Sequence, residues 1–204
     1  MSEDSTHNMN MYKKTLCKII FIFIFCCLCV SGIAQKTHAL SDRFHGPDID
    51  IAQLEKKIHD LINKERAKQG LPALSMDEGL RKVARKYSQD MVKRNFFSHK
   101  DPDGRSFHDR YKAGGVECSI RVANTTCIGA ENIAQGNIYS SYLYKDGEKY
   151  FNWNTEDEIA RAIVRQWIDS KGHRANILTP YFKQQGIGVA VSDDGKVYVT
   201  ETFC

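Results

Sequence analysis

Apolar residues recur at helical spacing over two long stretches in the first half of the chain. The first stretch predicts a helix that begins near Asp48 and ends near Gly70. Its apolar face consists of Ile51, Leu54, Ile58, Leu61 and Ile62. The second stretch follows a capping-box pattern, in which Ser75 and Glu78 stand three residues apart, and is expected to stop near Asn95. Its apolar face consists of Leu80, Val83, Ala84, Tyr87 and Met91.

A third long helix is predicted in the second half of the chain. Thr155 and Glu158 form another capping box at its start. The stripe that this helix is expected to bury consists of Ile159, Ala162, Ile163, Gln166 and Trp167. A short helix is predicted over residues 107–112, whereas residues 116–154 lack a clean period and are predicted to form loops.

The C-terminal segment alternates between apolar and polar residues, as strands do. Residues 186–191 and 196–203 are predicted to form a hairpin, because Asp194-Gly195 between them is a strong turn signal. Helices that precede a hairpin indicate the α+β class, with the helices packed on a small antiparallel sheet.

The N-terminus has the pattern of a secretory signal. Three lysines precede the unbroken apolar run of residues 19–30, and small residues stand where cleavage after Ala34 requires them. An uncleaved signal anchor is the competing interpretation, but a spanning helix needs about 20 apolar residues. We therefore predict a secreted protein without a stable transmembrane span. Its segments are a signal peptide over 1–34, a linker over 35–47 and one domain over 48–204.

Composition and charge narrow the class of protein further. Hydrophobic residues make up 42% of the 204-residue chain and charged residues 26%, which are ordinary values for a globular protein. The 29 basic and 25 acidic residues are interspersed and give a net charge of only +4. Because nucleic-acid binding needs a concentrated basic surface, we expect no nucleic-acid partner.

Seven cysteines overstate the number of disulfides. Four of them lie in the predicted signal, where cysteine acts as a small hydrophobic residue. In an oxidising compartment Cys118 and Cys127 are predicted to close a short local loop, with Cys204 left over. Their spacing does not match a structural zinc site.

Three titratable residues interrupt the amphipathic pattern where a loop meets a helix or strand. His99 follows the second helix, Glu131 lies between small residues, and His173 follows the third long helix after a short break. A carboxylate that faces two imidazoles can orient them, act as a general acid or base, or help to hold a divalent cation. On spacing alone, each of these residues is as readily explained by a structural role.

A series of short motifs resembles the CAP superfamily of cysteine-rich secretory, antigen 5 and pathogenesis-related proteins, and most closely its prokaryotic SCP-like extracellular branch. The resemblance extends over about residues 51–204. The motifs, in order, are Leu61-Ile62-Asn63-Lys64-Glu65-Arg66-Ala67, Gly70-Leu71-Pro72-Ala73-Leu74, Phe97-Ser98-His99, Pro102-Asp103-Gly104-Arg105, Gly129-Ala130-Glu131-Asn132-Ile133-Ala134, Trp167-Ile168-Asp169-Ser170, Gly172-His173-Arg174-Ala175-Asn176-Ile177-Leu178 and Gly186-Ile187-Gly188-Val189-Ala190.

The resemblance implies an α-β-α sandwich whose central cavity holds His99, Glu131 and His173. In relatives the two histidines can bind a divalent metal such as zinc, so His99 and His173 are the implied metal ligands. Animal and plant members usually carry a second glutamate in the helix before the second histidine. Residues 167–171 contain no glutamate here, and Asp169 is the nearest acid.

Other polar and aromatic residues are expected to have structural roles. His59 is predicted at the surface or rim, and His108 is predicted to cap or pack. Arg174 and Asn176 are expected to anchor the backbone beneath His173. The aromatic-rich segment 139–153 is predicted to tuck its rings onto the core, the alternative being that they line the rim of a binding groove.

Two functions remain open from the sequence. The first is a secreted binding module whose cavity takes a small apolar ligand, a lipid or a cell-envelope component, with or without a metal. The second is an extracellular hydrolase of the peptidase or esterase type, in which His99, Glu131 and His173 activate water. No serine or cysteine lies in a recognisable nucleophile motif, and Ser98 next to His99 does not establish a contact. We favour the binding module, because a fold does not by itself specify chemistry.

Overall fold

The computed structural model describes residues 46–204, which form one compact unit. The predicted signal peptide, most of the linker, His38, His45 and the four cysteines of the signal lie outside the described residues. Among the helices that are described, none is long and apolar enough to cross a membrane.

Five helices and eight strands make up the described fold, which confirms the α+β class. The helices are α1 (Ile51–Lys68), α2 (Glu78–Arg94), α3 (Phe107–Ala113), α4 (Glu156–Asp169) and α5 (Lys171–Ile177). The strands are β1 (Ser75–Met76), β2 (Ile120–Val122), β3 (Thr125–Cys127), β4 (Ala130–Asn137), β5 (Tyr139–Lys145), β6 (Glu148–Trp153), β7 (Gln184–Val191) and β8 (Lys196–Phe203).

The main sheet has four strands in the order β1-β7-β8-β4. Strand β1 is parallel to β7, and the other neighbours are antiparallel, so the predicted antiparallel sheet gains one parallel edge strand. The hairpin β7–β8 has the predicted bounds within two residues, with Gly195 in the left-handed conformation that its turn requires. Two further hairpins, β2–β3 and β5–β6, lie outside the main sheet.

The sheet lies between two helical layers. On one face Thr200 of β8 accepts a hydrogen bond from Ser88 of α2 at 2.9 Å. On the other face α1, α4 and α5 pack against β7 and β4, and Trp167 of α4 donates to the Ile133 carbonyl at 3.0 Å. Because alternate residues of a strand point to opposite faces, neighbouring side chains of one strand enter different layers.

Two glycines of β7 allow α2 to approach the sheet closely. A Cβ atom at Gly186 would overlap the backbone of Leu80 and Arg81, and one at Gly188 would overlap that of Ala84 and Arg85. The Gly-x-Gly pattern of this strand therefore brings α2 into direct contact with the sheet.

The two helical layers are also joined by ion pairs at the β7 edge of the sheet. Glu55 of α1 is fully buried and accepts hydrogen bonds from Arg81 and Arg85 of α2 at 2.6–2.8 Å. Its carboxylate also accepts from the backbone N–H of Val189 at 3.3 Å. This carboxylate fixes the spacing of the two layers at that edge.

The helix starts and buried faces differ in detail from the sequence predictions. The Thr155–Glu158 capping box is confirmed, but α2 is capped by Asp77 and Ser75 instead begins β1. The residues that α4 buries are Ile159, Ala160, Ile163, Val164 and Trp167, so burial of Ala162 and Gln166 was wrong. The observed face is rotated relative to the predicted one, with Ala160 and Val164 in place of Ala162 and Gln166.

The prediction of loops over residues 116–154 was wrong. This segment contains β2 to β6, and β4 is an integral strand of the main sheet. Both faces of β4 carry buried polar residues, including Glu131 and Asn132, so the strand lacks the alternation that sequence analysis relies on.

The aromatic segment forms the hairpin β5–β6 instead of a loop tucked onto the core. Its rings contact one another, as Tyr142 does with Phe151 at a centroid distance of 5.8 Å. Leu143, Tyr144 and Tyr150 near its tip are more than half exposed. The expected burial of these side chains was therefore wrong.

The predicted disulfide between Cys118 and Cys127 was also wrong. Cys118 is bonded to Cys204, 86 residues away, and Cys127 carries a free thiol. Cys204 is held at the end of β7, where its backbone N–H donates to the carbonyl of Gln184 at 2.9 Å. The bond therefore joins the segment after α3 to the end of the sheet.

We expect Cys118→Ser to lower the free energy of unfolding by about 3 kcal/mol under oxidising conditions, because the bond closes a long loop. Urea denaturation without reductant measures this change. Cys127→Ser is the matched control and should have little effect. If Cys127→Ser were the more damaging of the two changes, the pairing of Cys118 with Cys204 would be contradicted.

Candidate functional site

Strand β4 places two polar residues on opposite faces at one edge of the sheet. Glu131 lies opposite Thr202 of β8 and faces the layer of α2, whereas Asn132 lies opposite Glu201 and faces α5. Both side chains are buried. A site at this edge can therefore draw residues from both helical layers.

His99 contacts the carboxylate of Glu131. The loop after α2 carries His99, whose Nδ1 lies 3.0 Å from Glu131 Oε1. The His99 side chain is 51% exposed, whereas that of Glu131 is 1% exposed. A buried carboxylate on Nδ1 orients the ring and leaves Nε2 for a partner outside the protein.

Arg110 of α3 binds the second oxygen of the same carboxylate. Its Nη2 lies 2.6 Å from Glu131 Oε2 and 3.2 Å from the carbonyl of His99, so it fixes both residues. The guanidinium stacks over the ring of Tyr87, 3.3 Å from its centroid, and the Tyr87 hydroxyl donates to the Ser98 carbonyl. Arg110 was not among the site residues predicted from the sequence, because no short motif distinguishes it from the other basic residues of a short helix.

His173 reaches the same site from the opposite layer. It lies in α5, and its ring centroid is 6.1 Å from that of His99. Asn132 donates to the His173 carbonyl at 3.2 Å, and Asn176 donates to Asn132 Oδ1 at 2.8 Å. The expectation that Asn176 anchors this segment is confirmed, whereas Arg174 is exposed.

Burial lowers the pKa of His173, and the facing charge of His99 lowers it further. The ring is therefore neutral around neutral pH. Its Nδ1 is buried and has no hydrogen-bond partner among the described residues. Because Nδ1 is buried, a bound ligand would contact this neutral, half-buried imidazole at the exposed part of its ring.

Glu201 and Arg66 lie behind the site, in the layer of α1 and α5. Glu201 accepts from Asn132 at 3.0 Å, and its complete burial raises its pKa to about 8, an effect that Asn132 and the charge of Arg66 partly offset. Arg66 is fully buried and donates to backbone carbonyls. Those carbonyls belong to Pro72, Ile177, Thr179 and Phe182. Sequence analysis identified neither residue as part of the site.

The remaining candidates do not join the three residues. Ser98 Oγ accepts from the backbone N–H of Lys100 at 3.2 Å, so its hydroxyl is used by the loop and not by an imidazole. Asp169 is exposed at the end of α4. His108 packs on Phe107 at a centroid distance of 3.8 Å, which confirms its predicted structural role.

His59 is half-buried and not at the surface. Its two ring nitrogens lie 2.7 Å from Gln185 Nε2 and 3.2 Å from Asn63 Nδ2. Burial lowers the pKa of His59, although the charge of Asp60 opposes this shift. The ring therefore links α1 to β7 and is not part of the site.

Two imidazoles do not by themselves make a closed metal site. Zinc in proteins usually has three or four protein ligands. Within residues 46–204, no group of three histidine, cysteine, aspartate or glutamate side chains is placed to hold an ion. Since Glu131 is already bound by His99 and Arg110, the residues present do not fit a permanently bound structural zinc.

Comparison with known proteins agrees with the fold. The model of the cysteine-rich secretory protein family, CAP, matches residues 59–203 and so includes all three site residues. The protein YkwD of Bacillus subtilis is 37% identical over 142 residues, which are 70% of this chain and 44% of YkwD. The membrane protein YlbC of Bacillus subtilis is 32% identical over 149 residues, 73% of this chain and 34% of YlbC. The chain thus spans less than half the length of these curated relatives.

Solved structures share the fold. An extracellular protein containing a SCP domain from Bacillus anthracis is 27% identical, with a TM-score of 0.55, over 78% of this chain and 44% of that chain. An outer surface protein from Borrelia burgdorferi is 18% identical, with a TM-score of 0.57, over 78% of this chain and 97% of that chain. The second likeness concerns the fold alone.

The two helical layers and the mixed sheet between them form the fold of an SCP-like domain. The chain belongs to the CAP family, as the family model over most of its length shows. The resemblance found in the sequence motifs is thereby confirmed.

Proposed function

We propose that the protein is a secreted binding module that takes a lipid or another cell-envelope component between His99 and His173. The observation that carries this proposal is the arrangement of the two rings, which come from opposite helical layers and whose centroids lie 6.1 Å apart. The secretion signal predicted in the sequence supports an envelope or extracellular partner. The extracellular protein from Bacillus anthracis, which shares the fold, supports it as well.

The contacts of the site favour binding over covalent catalysis. Glu131 is held on both oxygens, by His99 and Arg110, so it serves to orient the ring and is poorly placed to accept a further proton. Ser98, the nearest hydroxyl in sequence, is used by the loop backbone. A site of this kind offers imidazole nitrogens to hydrogen-bond donors of a ligand and places no nucleophile beside them.

A second function has one observation in its favour. The contact between His99 Nδ1 and Glu131 Oε1, 3.0 Å long, is the arrangement by which a carboxylate orients an imidazole general base. Water activated by His99 Nε2 would make the protein a hydrolase of the peptidase or esterase type. Turnover would then depend on His99 and on Glu131.

We expect the double variant His99→Gln/His173→Gln to bind at least about tenfold less of the envelope probe, a loss of about 1.4 kcal/mol. The probes are fluorescent phosphatidylglycerol in vesicles and sedimented peptidoglycan, each titrated with the full secreted chain. Zinc content of wild type and variant is measured in parallel, because loss of zinc with the histidines would indicate a metal-dependent contact.

His108→Gln is the matched control, since His108 packs on Phe107 outside the site. It should bind as wild type does. Undiminished binding by the double variant, or no binding of either probe by wild type, would reject the proposed function. Hydrolysis of an ester or peptide panel by wild type, lost in the double variant, would favour the second function.

A further inference from the structure

A separate cleft lies between α2 and α3. It has a volume of about 380 Å³, within the range of small-molecule sites. Its apolar surface comes from Val83 and Tyr87 of α2 and from Ala113 and Gly114 at the end of α3. His99, Glu131 and His173 do not line it, although Tyr87 and Arg110, which support the histidine site, do.

One wall of the cleft carries three lysines of α2. Lys82, Lys86 and Lys93 share one face of the helix, because they are spaced by four and by seven residues. All three are exposed, and none has a carboxylate partner among the described residues. The wall therefore presents unneutralised positive charge beside an apolar floor.

The acidic residues that line the cleft are already engaged. Asp101 is buried and binds Arg105 at 2.8 Å, and Asp109 accepts from the backbone and hydroxyl of Ser106 at 2.7–2.8 Å. Asp90 pairs with Arg94 at 3.3 Å. Asp109 keeps its charge, because Ser106 is neutral, but the lining has five basic and three acidic side chains and its net charge is therefore positive.

Arg110, which also lines the cleft, carries a buried donor. Its Nη2 binds Glu131, but its Nε is buried and has no hydrogen-bond partner within residues 46–204. The guanidinium lies over the Tyr87 ring, which itself lines the cleft. A buried donor without a partner is costly unless a ligand or water satisfies it.

We propose that this cleft binds a small anion with an apolar body, such as a carboxylate or phosphate monoester on a short alkyl chain. The apolar part packs on Val83 and Tyr87, and the anionic group lies against Lys82 and Lys86. Charge complementarity and the apolar floor select this class of ligand over a neutral one. The proposal does not depend on the function of the histidine site.

The test is an NMR titration of the full secreted chain with octanoate, octyl phosphate and octanol. We expect octanoate and octyl phosphate to bind saturably, with Kd of about millimolar or tighter, and to shift amide signals of α2 and α3. Octanol and inorganic phosphate should each bind at least about tenfold more weakly. Octanol lacks the anionic group, and inorganic phosphate lacks the alkyl chain. Affinity of the two anions should fall with added salt.

Variants decide whether the cleft is the site. Lys82→Gln/Lys86→Gln should weaken octanoate binding at least about fivefold, and Ala113→Trp, which fills the cleft from an exposed position, should abolish it. Lys112→Gln is the matched control, because it is an exposed lysine of α3 that does not line this cleft. It should bind octanoate as wild type does.

Three results would overturn the proposal. They are equal binding of octanol and octanoate, unchanged binding by the lysine variant, and shifts centred on the histidine site. Loss of octanoate binding in His99→Gln/His173→Gln would likewise place the ligand elsewhere. Normal octanoate binding by that variant, together with loss of envelope-probe binding, would show that the two sites act separately.

Discussion

Replacing Arg66 with methionine is expected to lower the free energy of unfolding by about 4 kcal/mol. The guanidinium of Arg66 is fully buried and makes four hydrogen bonds of 2.6–3.4 Å to carbonyls of the loop after α1, of the end of α5 and of the loop after α5. Methionine fills similar space but satisfies none of these oxygens, and the change also removes the charge of Arg66, which lowers the pKa of buried Glu201. Urea denaturation at constant pH measures the change.

Lys68→Met is the matched control for Arg66→Met. Lys68 ends the same helix and forms an exposed ion pair with Glu65 at 2.6 Å. An exposed pair of this kind contributes little to stability, so the control should change the free energy of unfolding by less than about 1 kcal/mol. Similar losses in both variants would contradict the assigned role of Arg66.

The second large effect is a dependence of the free energy of unfolding on pH. Because complete burial raises the pKa of Glu201 to about 8, the folded protein keeps this carboxyl protonated at pH values where the unfolded chain has released its proton. The stability that results is fully present below the unfolded pKa of 4.5 and is lost as pH rises through the folded pKa. Between these limits Glu201 reduces the free energy of unfolding by about 1.4 kcal/mol for each pH unit.

Glu201→Gln should remove this dependence. Stability of the variant relative to wild type is expected to rise by about 3 kcal/mol between about pH 5 and about pH 8, as urea denaturation across that range would measure. Glu148→Gln, at an exposed position of the β5–β6 hairpin, should leave the dependence unchanged. Parallel curves for Glu201→Gln and wild type would show that Glu201 is ionised in the folded protein throughout.

The helices and the C-terminal hairpin could be predicted because their signals are local. Apolar spacing placed α1, α2 and α4, and Asp194-Gly195 placed the turn between β7 and β8. Strand β4 could not be found in this way, because it is buried on both faces and carries Glu131 and Asn132 in adjacent positions. Its conformation depends on pairing with β8, which is nonlocal.

The disulfide could not be predicted either, because its pairing is also nonlocal. Spacing favours Cys118 with Cys127, but the fold brings Cys204 to Cys118 from the far end of the domain. At the site, the motifs identified His99, Glu131 and His173, whereas Arg110 and Glu201 were missed. Arg110 acts through Glu131 of β4, and Glu201 acts through Asn132 on the neighbouring strand, and a single sequence encodes such nonlocal contacts in no short pattern.

The ion pairs of Glu55 bear on how a ligand at the histidine site would affect the stability of the domain. They fasten the two helical layers together at the β7 edge, whereas at the β4 edge the rings of His99 and His173 face each other across 6.1 Å. At the β4 edge each layer is instead held to the strand, through Asn132 on one face and Glu131 on the other. A ligand that bridges the two rings would add a direct connection between the layers at this edge, so that occupancy of the site and stability of the domain rise together.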